Sequence, residues 1–146
     1  AIVLIFSCNP KTLTSKALEE IEVKMVIQST ADYCGGANPP EQLLERLKTP
    51  QLLANTELLI NNSEKDLQEM VKTDEQGEIN KSLPAGAYQI FFPEKISAKP
   101  MERASNKDYC LKWKNTPDAV IQVTNEQNSF ELKLHRSCNP CELARP

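Results

Sequence analysis

The chain has 146 residues and a formal net charge of −3, the size of one domain and long enough to bury a core without metal or disulfide staples. Charges of both signs are interspersed and no basic stripe exists, which argues against nucleic acid as a partner. An aromatic content of 5% argues against stacking platforms for bases or sugars, and the single histidine, His135, leaves little room for His-based triads or imidazole-rich metal sites.

The first residues, Ala1 to Ser7, are apolar but too few to span a bilayer. They read as the end of a signal-peptide apolar region. No Met and no charged leader precede them, so the sequence reads as starting inside a longer precursor. Ile5-Phe6-Ser7-Cys8 resembles a bacterial lipobox, which implies cleavage before Cys8 and acylation of its sulfur. The competing reading is a buried first strand. Asn9-Pro10 disfavours it, because it breaks the apolar run at once. Residues 1–19 are therefore expected to be signal remnant, lipobox and tether, and residues 20–146 the folded domain.

Ile21, Val23, Met25 and Ile27 alternate with mostly polar neighbours, the period of a half-buried strand. Cys34-Gly35-Gly36 ends the loop that follows. Pro39-Pro40 opens a short helix whose stripe is Leu43, Leu44 and Leu47 and whose stop is Thr49-Pro50. One short apolar face is expected to lie on the end of the domain as a lid, in preference to binding a partner helix. Strands follow at Glu57 to Asn61 and Leu67 to Lys72, separated by a polar turn.

From Thr73 to Phe92 the chain reads turn, strand, turn, strand. Gly77 supplies positive φ, Leu83-Pro84-Ala85-Gly86 forms the second turn, and Tyr88 to Phe92 is β-rich. The run from Pro93 to Asn106 has no period and reads as a surface connection. Asp108 to Lys114 forms a short helix, with Tyr109 and Trp113 spaced to share its inner face. Ala119 to Thr124 and Ser129 to His135 flank Asn125-Glu126-Gln127-Asn128 and read as a hairpin. Pairing Thr124 with Ser129 sets Val123 against Phe130, Ile121 against Leu132 and Ala119 against Leu134, all on one face. Glu131 and Lys133 then face solvent, and His135 lies opposite Asp118 as a solvated cross-strand partner.

The pattern Thr73-Asp74-x-x-Gly77-x-Ile79-x-x-x-Leu83-Pro84-x-Gly86-x-Tyr88-x-Ile90 resembles the middle of carboxypeptidase-regulatory-like domains, also called prealbumin-like or transthyretin-like. Tyr33-Cys34-Gly35-Gly36-Ala37-Asn38-Pro39 is similar to a signature of uncharacterised secreted or surface proteins of Bacteroidetes-type bacteria that carry such a domain. The resemblance implies a mainly β fold outside the cytoplasm: a single prealbumin-like or immunoglobulin-like β-sandwich with one or two short helices. It implies no activity, since these modules mostly bind or space.

If Cys8 carries lipid, Cys34, Cys110, Cys138 and Cys141 remain, and four cysteines allow three pairings. The expected hairpin brings Cys110 near Cys138. A first strand parallel to the last, as in immunoglobulin-like sandwiches, would bring Cys34 to the same pole. The favoured chemistry there is two disulfides, with Cys34 and Cys110 each bonding one of Cys138 and Cys141, as a secreted context allows. A zinc site drawn from Cys34, Cys110, His135, Cys138 and Cys141 is the alternative, because His135, Cys138 and Cys141 have ligand-like spacing. A redox pair at Cys138-Asn139-Pro140-Cys141 is the third, weakened by the absence of a helix for the motif to open.

No nucleophile and base pair can be named. The expectation is a non-catalytic, cofactor-free lipoprotein of the cell envelope, held to the membrane through Cys8. It would sit on the periplasmic or outer surface and act as a binding or structural module for an envelope protein or glycan.

Overall fold

The structure is a computed structural model that describes residues 19–100 and 107–142. Its strands are β1 (Glu20–Ala31), β2 (Gln51–Leu52), β3 (Glu57–Asn62), β4 (Leu67–Lys72), β5 (Glu78–Pro84), β6 (Gly86–Phe91), β7 (Ala119–Val123) and β8 (Ser129–Arg136). Its α-helices are α1 (Glu41–Lys48), α2 (Glu94–Ser97) and α3 (Lys107–Asn115), and a 3-10 turn spans Ser63–Lys65. Cys8 and the tether lie outside the described residues.

Two four-stranded sheets form a β-sandwich. One has the order β4-β3-β6-β7, antiparallel throughout. The other is built around β1. One flank of β1 pairs parallel with β8, from Lys24↔Ser129 to Ala31↔Arg136. The other flank takes β5 antiparallel along Glu20 to Val26, then β2 at Gln28 and Ser29. Ile27 joins the two partners, its N–H donating to Gly77 O and its carbonyl accepting from Leu53 N, both at 2.9 Å.

The alternation in β1 buries Ile21, Val23, Met25 and Ile27 against Leu58, Ile60, Tyr88 and Ile90 of the facing sheet. Ile121, Val123, Phe130 and Leu134 add to the core, while Leu132 is only half-buried. The side-chain faces expected for the last two strands are therefore observed, but their pairing is not. A tight turn does close between them, with Thr124 N donating to Gln127 O at 3.0 Å and Gln127 N to Thr124 O at 3.2 Å. The strands then separate: β7 joins β6 and β8 joins β1. Alternation specifies which face is buried, and that requirement is met equally by pairing across a hairpin and by facing across a sandwich.

The Leu83-Pro84-Ala85-Gly86 stretch is likewise a corner between sheets and not a hairpin turn, since β5 and β6 belong to different sheets. Tyr88 locks this corner: its buried hydroxyl donates to Pro84 O at 2.6 Å. The preceding turn has a side-chain frame. Asp74 Oδ1 accepts from Gln76 N and Glu78 N at 2.9 Å each, and buried Thr73 accepts from Thr56 N through Oγ1 at 2.9 Å. Gly77 sits at φ 73°, and a Cβ there would lie 2.8 Å from Ile27 O. The Pro93 connection contains α2, so three short α-helices occur among the described residues.

Leu134→Ala is expected to lose about 2–5 kcal/mol of stability as a large-to-small core change. Lys133→Ala, on the opposite face of β8, should stay within about 0.5 kcal/mol of the parent. Equal losses in urea unfolding would contradict the observed face assignment.

Burial raises the Tyr88 hydroxyl above its ordinary 10.0; the Asn62 side chain opposes the shift and the charge of Glu20 adds to it. Asn62 Nδ2 is nonetheless buried without a partner in hydrogen-bond geometry. The folded-state value is raised, so the neutral phenol supports the fold fully below the unfolded-state value near 10. That support is lost as pH rises from there through the folded-state value. Tyr88→Phe should lower stability at neutral pH by about 1–3 kcal/mol, because Pro84 O loses its donor. It should also flatten the alkaline decline, as measured by urea midpoints on either side of pH 10.

Candidate functional site

The parallel pairing of β1 and β8 sends two chain segments out of the same end of one sheet. The last bond between them is Asp32 N to Arg136 O, 2.9 Å. Two residues beyond each, Cys34 and Cys138 form a disulfide with Cα atoms 5.5 Å apart. Cys110 of α3 bonds Cys141, with Cα atoms 4.7 Å apart. All four described cysteines thus meet at one pole. Cys110 and Cys141 are 0% and 4% exposed, whereas Cys34 and Cys138 are exposed. Two disulfides indicate an oxidising, non-cytoplasmic compartment.

These bonds overturn the zinc alternative. Sulfurs committed to disulfides carry no thiolate charge for a metal, which removes Cys34, Cys110, Cys138 and Cys141 from the ligand set and leaves His135 alone. Among the described residues no group of three or more His, Cys, Asp or Glu is placed to hold a metal. A redox pair formed by Cys138 and Cys141 with each other is overturned as well, because each bonds a different partner.

His135 is not opposite Asp118. In the parallel register it neighbours Thr30, whose Oγ1 is 2.7 Å from its Nδ1, while Asp32 Oδ1 is 2.8 Å from its Nε2. The ring and the Asp32 carboxylate are each 52% exposed.

Asp118 lies instead inside a buried ion pair with Lys95, 2.9 Å apart, the two side chains being 5% and 6% exposed. Asp118 Oδ2 accepts from Phe92 N at 2.8 Å, and Lys95 also donates to Thr116 O at 2.9 Å. The Lys95 ammonium stands 5.4 Å from the Trp113 ring centroid. This network ties α2 to α3 and to the start of β7. On α3, Cys110 is buried, Trp113 and Lys114 are half-buried, and Tyr109 is 73% exposed. The expected pairing of Tyr109 with Trp113 is therefore incorrect. The Cys110 bond fixes the helix rotation, and Trp113, three residues on, follows it inward to donate from Nε1 to Ser137 Oγ at 2.7 Å.

Helix α1 lies beside the pole with no fully buried residue; Leu43, Leu44 and Leu47 are half-buried. Leu44 and Leu47 form one wall of a cleft of about 520 Å³, with Tyr33, Asp32, His135, Cys138 and Lys48 around the rest. Of the Tyr33-Cys34-Gly35-Gly36 run, Tyr33 lines the cleft. A Cβ on Gly35 would lie 2.3 Å from the Tyr33 hydroxyl, so the ring can rest there only over glycine.

Sequence reasoning missed Thr30, Asp32, Lys48 and Lys95, and it singled out Tyr33 only as part of a signature. The apolar alternation of β1 fades after Ile27, and no local signal marks the strand's continuation to Ala31. Lys95 lies in a stretch without period, where a lone lysine reads as surface.

No protein-family model matches the chain, and no curated protein matches it. Among solved structures, it is similar to a DUF3823 family protein from Parabacteroides merdae ATCC 43184, with 14% identity and a TM-score of 0.40. The alignment covers 80% of this chain and 46% of that one, so the chain spans under half the length of that protein.

Lys95→Met should destabilise the domain by about 3–5 kcal/mol, because it strands a buried carboxylate without its charge partner. Lys24→Met removes a surface pair with Glu78, 3.4 Å apart and 51% and 31% exposed, and should change stability by less than about 1 kcal/mol. Comparable losses in chemical denaturation would contradict the burial contrast.

Proposed function

We propose that the chain is the folded part of a lipid-anchored envelope protein, a non-catalytic binding or structural module of the carboxypeptidase-regulatory-like type. The convergence of two disulfides beside a preformed cleft carries this reading. It supports an oxidising compartment and a stiff frame under the Leu44 and Leu47 wall. A cleft with an apolar wall and a few polar groups at its rim suits binding, and an envelope protein or glycan is the partner class.

The hydroxyl, imidazole and carboxylate of Thr30, His135 and Asp32 favour a structural clip over catalysis. Both the ring and the carboxylate are half open to water, where a developing charge gains little from fixed dipoles. The clip joins neighbouring residues of β1 and β8 just before the disulfide.

With its native leader in place, the protein should take up a fatty-acid analogue and partition into detergent, and Cys8→Ala should abolish both. Labelling retained in that variant would remove the anchor from the proposal. For the cleft, thermal shift against a panel of envelope glycans and peptides should find a ligand that Leu47→Asp no longer binds. A ligand bound equally well by the variant would place binding elsewhere.

A further inference from the structure

We propose that Cys34–Cys138 is a thiol–disulfide exchange site, an exposed bridge that an external dithiol reduces while Cys110–Cys141 stays closed. Its opening would free the loop of residues 35–40 and loosen α1 over the cleft. The exchange chemistry is independent of the binding role proposed above; only the consequence for the cleft rests on it.

The two bridges share a tail but differ in access. Cys34 and Cys138 are exposed, while Cys110 and Cys141 are 0% and 4% exposed. Exchange proceeds by attack of a thiolate on a sulfur, so an enclosed bridge is shielded and an open one is not. The leaving side opens on the cleft. Cys138 lines the cleft together with Lys48 and His135. Attack on Cys34 Sγ expels Cys138 as a thiolate into the cleft, whose lining includes Lys48 and His135. The second thiol of the reductant then attacks the mixed disulfide at its own sulfur and releases Cys34. The reductant leaves as a disulfide, and Cys34 and Cys138 have taken up two electrons and two protons between them. The co-reactant is therefore a dithiol, small or carried by an oxidoreductase.

The remaining contacts hold β8 and its tail in place when the bridge opens. The parallel ladder continues to Ala31↔Arg136, and Asp32 N still donates to Arg136 O. Trp113 Nε1 holds Ser137, and Cys110 holds Cys141. The segment after Cys34 has no such hold: residues 35–40 belong to no strand or helix, and α1 has no fully buried residue. Reduction thus acts on one side of the cleft.

The test treats the native oxidised protein with limiting dithiothreitol, quenches it with iodoacetamide at intervals and maps the alkylated peptides, with hydrogen exchange followed in parallel. The expected result is modification of Cys34 and Cys138 at least about tenfold faster than of Cys110 and Cys141. Amide exchange should rise in residues 35–48 and stay unchanged in the β1 and β8 ladder. The double variant Cys34→Ser, Cys138→Ser should show the same local rise without reductant and keep a slowly reduced Cys110–Cys141. Four cysteines modified together, or Cys110 and Cys141 first, would overturn the exchange site. Selective modification with no change in residues 35–48 would overturn the loosening of α1 while leaving the binding role of the cleft open.

Discussion

The parallel pairing of β1 with β8 is the constraint from which the rest of the structure follows. β1 is the strand to which three others attach. β8 lies along one flank, and β5 and β2 divide the other at Ile27. Because the first and last strands run the same way, the chain leaves both at one end. That end is where Cys34 meets Cys138, where His135 reaches Thr30 and Asp32, and where the cleft lies. An antiparallel arrangement would have placed these groups at opposite ends of the sandwich.

The helices following β6 reinforce the same pole from beneath. Lys95 and Asp118 neutralise one another inside the protein and satisfy a backbone N–H and a carbonyl as they do so. This is the condition under which a buried charge pair is tolerated. Arg136 lies 4.3 Å from the Phe92 ring centroid. Its Nε is 2.9 Å from Glu94 Oε1 without the alignment of a hydrogen bond, so that contact is a charge pair. The pole is therefore stiff on the side of α2 and α3 and lightly held on the side of α1.

What could be read in advance divides along the range of the interactions. The sandwich arrangement is implied by the family resemblance, whereas the strands themselves, the inward faces of β1, β7 and β8, and the turn at Gly77 follow from period-2 alternation and local turn chemistry. These are properties of neighbouring residues. Partner choice is not. Thr124 to Gln127 forms a tight turn in either arrangement, so nothing local distinguishes a hairpin from a crossing between sheets. The misplaced neighbours follow from that step, since only a hairpin sets Asp118 against His135. Tyr109 fails for a related reason. Its spacing from Trp113 suits a shared face, but the bond of Cys110 to Cys141, thirty-one positions on, decides how the helix is turned. The gathering of the cysteines became legible only once a parallel first strand was supplied by resemblance to a sandwich fold.

The order of the cysteines along the chain has a consequence for how the protein matures. The bonds interleave: Cys34 pairs past Cys110 with Cys138, and Cys110 pairs past Cys138 with Cys141. A chain threaded from its N-terminus into an oxidising compartment exposes Cys34 and Cys110 before either native partner has arrived. An oxidant acting at that stage would join those two. The native bonds can then form only by reshuffling through mixed disulfides, which takes seconds to hours unless catalysed. Where oxidation runs ahead of the arriving tail, a disulfide isomerase, and not an oxidase alone, brings the chain to its native bonds.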